Sequence, residues 1–299
     1  MMIAMSNTTP VVLAVLAAEL APAAAFGFLP ERTVRAVGRL ALPLRIALPV
    51  LLVLPYVAIA ASRHIFRWDW FALYAGLPVL MAWLLSRAAE ADPEQRGNWR
   101  DAIVLLVLGL AVDLRWFEPA WPSDYQALGK ILLVDAGLYS FLGVRQLTGT
   151  GFDFRLHWSD WKTGLRELLF FAPVVILLGM ALGFIQPHAN HPHIGTAFLR
   201  WIAIFFFVAV PEELFFRTWV QNLLERHLGR YGALITASIL FGLSHFNKRN
   251  LIGQHFNWRY VLLASMAGIF YGRAWRERRR IAASTITHTC VDWLWSWWF

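Results

Sequence analysis

Apolar runs of about 15 to 28 residues alternate with short polar segments along most of this chain. The first half contains the runs Val11–Leu29, Leu42–Ser62, Trp70–Ser86, Ala102–Trp116 and Ala127–Leu147. The second half contains the runs Leu168–Pro187, Gly195–Asn222, Gly232–Asn247, Tyr260–Arg273 and Ile281–Phe299. An apolar segment of about 20 residues is long enough to cross a bilayer as an α-helix. The pattern therefore predicts an all-α, polytopic transmembrane bundle of about ten helices.

The distribution of basic residues predicts the orientation of these helices. With the N-terminus outside, the inner loops carry 18 of the 27 Lys and Arg residues, and the outer loops carry 6. Inner loops of membrane proteins are enriched in Lys and Arg, so the bias places both termini outside. No Lys or Arg precedes the first apolar run, and we therefore expect a retained helix rather than a cleaved signal peptide.

The composition supports the same class of protein. Hydrophobic residues make up 58% of the chain, charged residues make up 15%, and the mean hydropathy is +0.51. These values indicate a multi-pass integral protein of a bacterial-type inner or plasma membrane, in contact with membrane lipids. The net charge of +8 does not predict nucleic-acid binding, because the basic residues lie in short loops between apolar runs. The single cysteine, Cys290, excludes an intramolecular disulfide and a cysteine-based zinc cluster.

A polar, aromatic segment at residues 148–166 divides the chain. We interpret it as an inner-face linker or a short interfacial helix between a five-helix region at 1–147 and a second region at 167–299. Four ionisable residues of the first region are expected to have structural roles: Glu19, Asp113, Lys130 and Asp135. The polar residues best suited to chemistry are concentrated in the second region.

Three apolar helices of the second region carry polar or ionisable residues at helical spacing. In chain order these residues are Glu212, Glu213 and Arg217, then Phe241 and His245, then His288 and Asp292. A charged side chain at the centre of a membrane helix costs about 2.5–3.5 kcal/mol on insertion scales, and more in simulations. Such side chains therefore face the interior of a bundle or a water-filled cavity. We expect these residues to converge on one cavity that opens toward the inner face.

The two adjacent glutamates are predicted to differ in role. Glu213 and Arg217 stand four residues apart, so they lie on one helix face and are expected to form a structural ion pair. Glu212 points about 100° away and has no partner on its own helix. An unpaired carboxylate in a cavity is a candidate general base.

The residue types allow two mechanisms. Two histidines and a glutamate meet the ligand requirement of a catalytic zinc site that keeps one position open for water. Without a metal, Glu212 would take a proton from a water molecule that His245 holds. His288 and Asp292 would then stabilise the oxyanion. The residues alone leave both mechanisms open.

The three groups of residues resemble a known family. Glu-Glu-x-x-x-Arg, Phe-x-x-x-His and His-x-x-x-Asn/Asp on successive membrane helices are typical of the CaaX-protease and bacteriocin-processing family of intramembrane endopeptidases. In this chain the motifs are Glu212 to Arg217, Phe241 to His245 and His288 to Asp292. The resemblance covers about residues 167–299 and leaves the first five helices unexplained.

The resemblance implies a role for each motif residue. Glu212 would be the water-activating base and His245 its helper, and His288 and Asp292 would complete the site. Glu213, Arg217 and Phe241 would give structural support. The substrate would be a membrane-associated peptide or protein, for example one with a lipidated tail. The family leaves open whether zinc is bound by Glu212, His245, His288 and Asp292 or whether the glutamate acts without metal.

Two other functions are compatible with the sequence. A protein of the same fold without proteolytic activity would act as a membrane scaffold or a bacteriocin-immunity protein. An ion-coupled transporter would place charges in both halves of the chain and show repeat symmetry between them. Here the charges concentrate in the second half and no internal repeat is evident. We therefore favour the endopeptidase.

Overall fold

The computed structural model describes residues 10–188, 190–248 and 256–299, and these residues form helices and connecting turns without any β-strand. The chain divides into two compact units, Met1–Thr148 and Gly149–Phe299. The predicted all-α fold is therefore confirmed.

The described residues of the first unit form six helices longer than one turn. They are α1 Pro10–Phe28, α2 Pro30–Gly38, α3 Leu42–Ser62, α4 Trp68–Ala91, α5 Trp99–Asp113 and α6 Ser123–Val144. Helix α5 begins with a capping box, in which the side chain of Asn98 accepts a hydrogen bond from the backbone N–H of Arg100 at 2.9 Å. The side chain of Asp101 in turn accepts from the backbone N–H of Asn98 at 2.9 Å. These bonds satisfy N–H groups that have no partner within the helix.

Polar side chains in the interior of the first unit are mostly paired. Arg145 is buried and forms ion pairs with Asp101 at 3.0 Å and with Asp92 at 2.6 Å. Lys130 lies 3.0 Å from Glu118. Glu19, Asp135 and Ser140 are among the exceptions, because all three are fully buried and their side-chain oxygens have no hydrogen-bond partner among the described residues.

Four helices lie in the part of the second unit that the structure describes. They are α7 Trp158–Ala181, α8 Ile194–Leu243, α9 Trp258–Arg278 and α10 Ile281–Trp298. Helix α8 turns at Gly229, whose φ is 67°. The turn divides α8 into a first limb, residues 194–228, and a second limb, residues 230–243. Glycine allows this left-handed conformation because it has no Cβ.

Two sequence-based boundaries in the second unit are wrong. The inner loop predicted at 223–231 is helical up to residue 228, and the helix kinks at one glycine. The apolar run predicted at Leu168–Pro187 is a helix that starts earlier, at Trp158, and ends at Ala181. The prediction placed the start of this helix too late because the residues before 168 are polar. A membrane helix can continue past its apolar part into a polar segment.

Six helices are long and apolar enough to cross a membrane, namely α1, α3, α4, α6, α7 and α8. Helix α5, with 15 residues, is shorter than a typical span. Helices α9 and α10 have 21 and 18 residues but do not reach the apolar character of the other six. The predicted number of ten spans therefore remains a prediction.

The segment before α7 contacts the turn between α9 and α10. The carbonyl of Gly151 accepts a hydrogen bond from the N–H of Ile281 at 2.9 Å. The guanidinium of Arg280 lies 2.9 Å from Asp160 and 3.2 Å from Asp153. These contacts fix the first residue of α10 and so determine where the later turns of that helix place their side chains.

Candidate functional site

Glu212 and Glu213 lie in a short α-helical segment, Val210–Glu213, within the first limb of α8. A π-helical segment precedes it at Phe205–Ala209 and another follows at Leu214–Gln221. Pro211 has no N–H and its ring crowds the preceding turn, which interrupts the regular α-helical bonding. π-Helical turns occur frequently at functional sites.

Glu213 is fully buried between two cationic or polar partners. Its Oε2 accepts a hydrogen bond from Nε of Arg217 at 3.0 Å, so the predicted pair is present. Its Oε1 lies 2.9 Å from Nδ1 of His288. A carboxylate can only accept, so Nδ1 carries the hydrogen and Nε2 is left for other partners. This second bond links α8 to α10, and the spacing of residues in the sequence does not predict it.

Phe241 lies beneath the charged residues in the core of the second unit. Its ring is 5.3 Å from the guanidinium carbon of Arg217, within the range of a cation–π contact. Its ring centre is 5.0 Å from that of His245 and 5.7 Å from that of His288. Phe241 therefore contacts both candidate histidines and separates them from the remainder of the core.

His288 presents Nε2 to two carboxylates. Nε2 lies 3.5 Å from Oδ2 of Asp292 and 3.9 Å from Oε2 of Glu212. The ring of Tyr271 stacks on the imidazole, with 4.6 Å between ring centres and an interplanar angle of 15°. The imidazole is therefore held at its face by Tyr271 and at Nδ1 by Glu213. The sequence gives no signal for Tyr271, because an aromatic residue in an apolar helix predicts only packing.

His245 follows the last residue of α8 and is 6% exposed. Its Nδ1 lies 2.8 Å from the carbonyl oxygen of Phe241 and 3.2 Å from the hydroxyl of Ser244. Because a carbonyl oxygen only accepts, Nδ1 donates and Nε2 keeps its lone pair. This lone pair is available to a water molecule or another ligand.

A cavity of about 190 Å³ contains the candidate residues. Glu212, His245, His288 and Asp292 line it, so the structure places all four predicted catalytic residues around one space. The opposite wall is mostly apolar and comes from α7 and α9, with Phe171, Val175, Leu263, Ala264 and Ala267 among its residues. The side chains of Glu212 and Asp292 keep 28% and 30% of their surface exposed.

The cavity extends away from Arg280, in the turn between α9 and α10. Its lining includes Phe184, Lys248 and Phe299. Phe184 follows the end of α7 and Phe299 follows the end of α10, whereas Arg280 contacts Asp160 near the start of α7. The lining therefore continues to the end of this unit opposite Arg280. The side on which the cavity opens stays a prediction.

The distances between the candidate ligand atoms bear on whether the site could hold zinc. Ligands bonded at about 2.1 Å in a tetrahedral site are about 3.4 Å apart. The 3.5 Å between His288 and Asp292 agrees with this value, and the 3.9 Å between His288 and Glu212 exceeds it. Across the described part of the chain, no three His, Cys, Asp or Glu side chains converge as a metal site. Whether the site binds zinc therefore stays a prediction.

Residues 194–294 match the model of a family described as type II CAAX prenyl endopeptidase Rce1-like. This region contains all three motifs and therefore confirms the resemblance to CaaX-processing endopeptidases. No curated protein and no solved structure matches the chain.

Proposed function

We propose that this protein is an intramembrane endopeptidase that hydrolyses a peptide bond of a membrane-associated protein substrate with water activated by Glu212. The observation that carries the proposal is the position of Glu212 Oε2. This atom is buried and has no hydrogen-bond partner among the described residues, although Nε2 of His288 is only 3.9 Å away. A buried carboxylate oxygen without a donor is suited to bind the water molecule of a hydrolysis. The family match supports a peptidase of the CAAX type.

The first step is the activation of water. Oε2 of Glu212 takes one proton, and Nε2 of His245 accepts a hydrogen bond from the other. This arrangement directs the oxygen lone pair into the cavity. The oxygen attacks the carbonyl carbon of the scissile bond and forms a tetrahedral intermediate with a negative oxygen. A positioned general base of this type accelerates reactions by about 10²–10⁴-fold.

The second step is the stabilisation and collapse of the intermediate. When both ring nitrogens carry hydrogen, His288 donates from Nε2 to the oxyanion while Glu213 holds Nδ1. The carboxylate of Asp292, 3.5 Å from Nε2, stabilises the positive charge of this imidazolium. The carbon–nitrogen bond then breaks, and protonated Glu212 gives its proton to the leaving amine. The products are a carboxylic acid and an amine, and Glu212 returns to its starting form.

We propose a reaction without a metal, in which Glu212 is the base and every step uses side chains that line the cavity. We therefore assign the reaction to glutamate chemistry, and the chelator experiment below tests this assignment.

The proposal includes the ten-span topology. It counts α5, the two limbs of α8, α9 and α10 as spans in addition to α1, α3, α4, α6 and α7, with both termini outside an inner or plasma membrane. Reporter fusions after each helix would test this count, and a reporter at the C-terminus that is active on the inner side would contradict the orientation.

The decisive experiment is cleavage of a fluorogenic peptide library by purified protein in liposomes. We expect the wild type to cleave and Glu212→Gln to be at least 10²-fold slower, since the amide cannot take a proton. Glu94→Gln is the matched control, because Glu94 is exposed and lies outside the cavity. Equal rates for wild type and Glu212→Gln would contradict the role of Glu212. Loss of wild-type activity with a zinc chelator, restored by zinc, would contradict the metal-free mechanism.

A further inference from the structure

Two arginines meet at one end of the contact between the second limb of α8 and α9. Arg230 is the first residue after the kink at Gly229, and Arg276 lies in the last turn of α9. Nη1 of Arg276 donates a hydrogen bond to the backbone carbonyl of Arg230 at 3.3 Å. The two basic residues therefore lie side by side on neighbouring helices of the second unit.

The positive charge of these two side chains is not neutralised by a carboxylate beside them. In the part of the chain that the structure describes, neither Arg230 nor Arg276 forms an ion pair. Glu225 is near Arg276, but it lies 2.7 Å from the guanidinium of Arg279. The charges of Arg230 and Arg273 also repel that of Arg276. Like charges gathered in this way create a local positive potential that attracts anions.

An exposed apolar stripe begins beside the two arginines. The ring centre of Tyr231 lies 5.1 Å from the guanidinium carbon of Arg276. Along the second limb, Tyr231, Ile235, Ile239 and Leu243 follow one another at intervals of four residues, and all four are exposed. Residues four apart lie on one helix face. The stripe is therefore a continuous hydrocarbon surface with a cationic end.

This combination of charge and apolar surface selects the kind of ligand. A guanidinium binds phosphate oxygens through a fork of parallel N–H donors. A phospholipid carries its phosphate directly beside acyl chains, whereas a soluble phosphate would use the arginines and leave the stripe without a partner. Basic pockets between membrane helices are known to bind anionic lipid headgroups.

We propose that Arg230 and Arg276 bind the phosphate of an anionic phospholipid whose acyl chain lies along the stripe from Tyr231 to Leu243. The site is separate from the cavity, because neither arginine lines it. The inference does not rest on the proposed hydrolysis. The bound lipid joins the start of the second limb to the end of α9 and so restrains the limb that leads to His245.

The experiment titrates the purified full-length protein in neutral detergent with phosphatidylglycerol or phosphatidylcholine and counts bound lipids by native mass spectrometry. We expect the wild type to bind phosphatidylglycerol at least about tenfold more tightly than phosphatidylcholine. The double variant Arg230→Gln with Arg276→Gln should bind phosphatidylglycerol about 10–30-fold more weakly, since each basic residue near a membrane surface contributes roughly fivefold. Arg230→Lys with Arg276→Lys should keep most of the affinity.

The matched control is the double variant Arg39→Gln with Arg278→Gln, which removes the same charge from two exposed positions. Arg278 lies two residues from Arg276 on α9 and therefore points to another face of the helix. The control should bind phosphatidylglycerol as tightly as the wild type does. If the glutamine double variant does not fold, Arg276→Gln alone decides, with an expected loss of about fivefold.

Four results would overturn the inference. The first is equal affinity of the wild type for phosphatidylglycerol and phosphatidylcholine. The second is unchanged phosphatidylglycerol affinity in the folded glutamine variant. The third is an equal loss in the control, which would assign the binding to general attraction between charges. The fourth is displacement of phosphatidylglycerol by an equal concentration of glycerol 3-phosphate, which would assign the arginines to a soluble phosphate. In all four cases the proposed hydrolysis at Glu212 stands, because the cleavage assay tests it separately.

Discussion

Oε1 of Glu213 lies 2.9 Å from Nδ1 of His288, although 75 residues separate the two in the chain. This bond joins the first limb of α8 to α10 and determines which nitrogen of His288 faces the cavity. A carboxylate behind a histidine holds the ring and its tautomer in metal sites and in catalytic triads alike. Glu213 is therefore a positioning residue as well as the ion-pair partner of Arg217.

Replacing Glu213 by glutamine tests this positioning role. Glu213→Gln keeps the shape of the side chain but removes the negative charge that pairs with Arg217 and with the imidazole of His288. We expect kcat to fall by about 10–100-fold, as for other changes behind a functional histidine, while KM changes little. Cleavage kinetics and a pH–rate profile measure the effect. An unchanged pH profile and kcat in a folded variant would show that Glu213 is structural only.

Replacing Arg217 by methionine tests the energetic role of the ion pair. Arg217 and Glu213 are both fully buried, and removal of one partner leaves a buried charge without compensation. Breaking such a pair typically costs about 3–5 kcal/mol. We expect Arg217→Met to lower Tm in detergent strongly, and the double variant Arg217→Met with Glu213→Gln to recover part of the loss. A double variant less stable than Arg217→Met would contradict this account.

A glycine in the segment before α7 provides a third prediction. The φ of Gly151 is +66°, and a Cβ at this position would lie 1.9 Å from the carbonyl oxygen of Arg279. Gly151→Ala should therefore displace the segment from the start of α10 and reduce both Tm and activity. Gly183→Ala is the matched control, with φ +62° and no atom within 4 Å of the added Cβ. It should cost only about 1 kcal/mol of backbone strain. Equal Tm values would contradict the steric explanation.

Asp153 gives a prediction of pH dependence. Partial burial raises the pKa of Asp153, but hydrogen bonds from Arg155 and Arg280 outweigh this effect and lower its pKa below the ordinary value. A lowered pKa stabilises the fold above the unfolded-state pKa of about 3.9, and the stabilisation is lost as the pH falls through the folded-state pKa. We expect Asp153→Asn to have a lower Tm than wild type at pH 7. The two Tm values should converge in acid, and a constant difference down to pH 3 would contradict the electrostatic cause.

The sequence predicted well those features that depend on neighbours along one helix. The spacing of four between Glu213 and Arg217 predicted their ion pair, which the structure contains. The cost of burying charge predicted that Glu212, His245, His288 and Asp292 line one cavity, and they do. Their catalytic roles remain a proposal. Helical periodicity was sufficient here because it depends on local geometry alone.

Features that depend on contacts between helices could not be predicted. The bond from Glu213 to His288 and the stacking of Tyr271 on His288 join residues far apart in the chain. The extension of the cavity toward the ends of α7 and α10 also depends on packing between helices, about which loop charge carries no information.

Glu212 lies in the first limb of α8, and His245 lies two residues beyond the second limb, so the kink at Gly229 stands between them. At 1.5 Å per residue, the second limb from Gly229 to Leu243 is about 21 Å long. A swing of only about 5° at that joint would carry the imidazole through about 2 Å, and a misplacement of about 1 Å can slow a reaction 10²-fold. The packing of Phe241 against Ala264 and Ala267 of α9 restrains the second limb of α8 near His245. The alignment of Glu212 with the water held by His245 therefore depends on how firmly the second limb is packed at its C-terminal end.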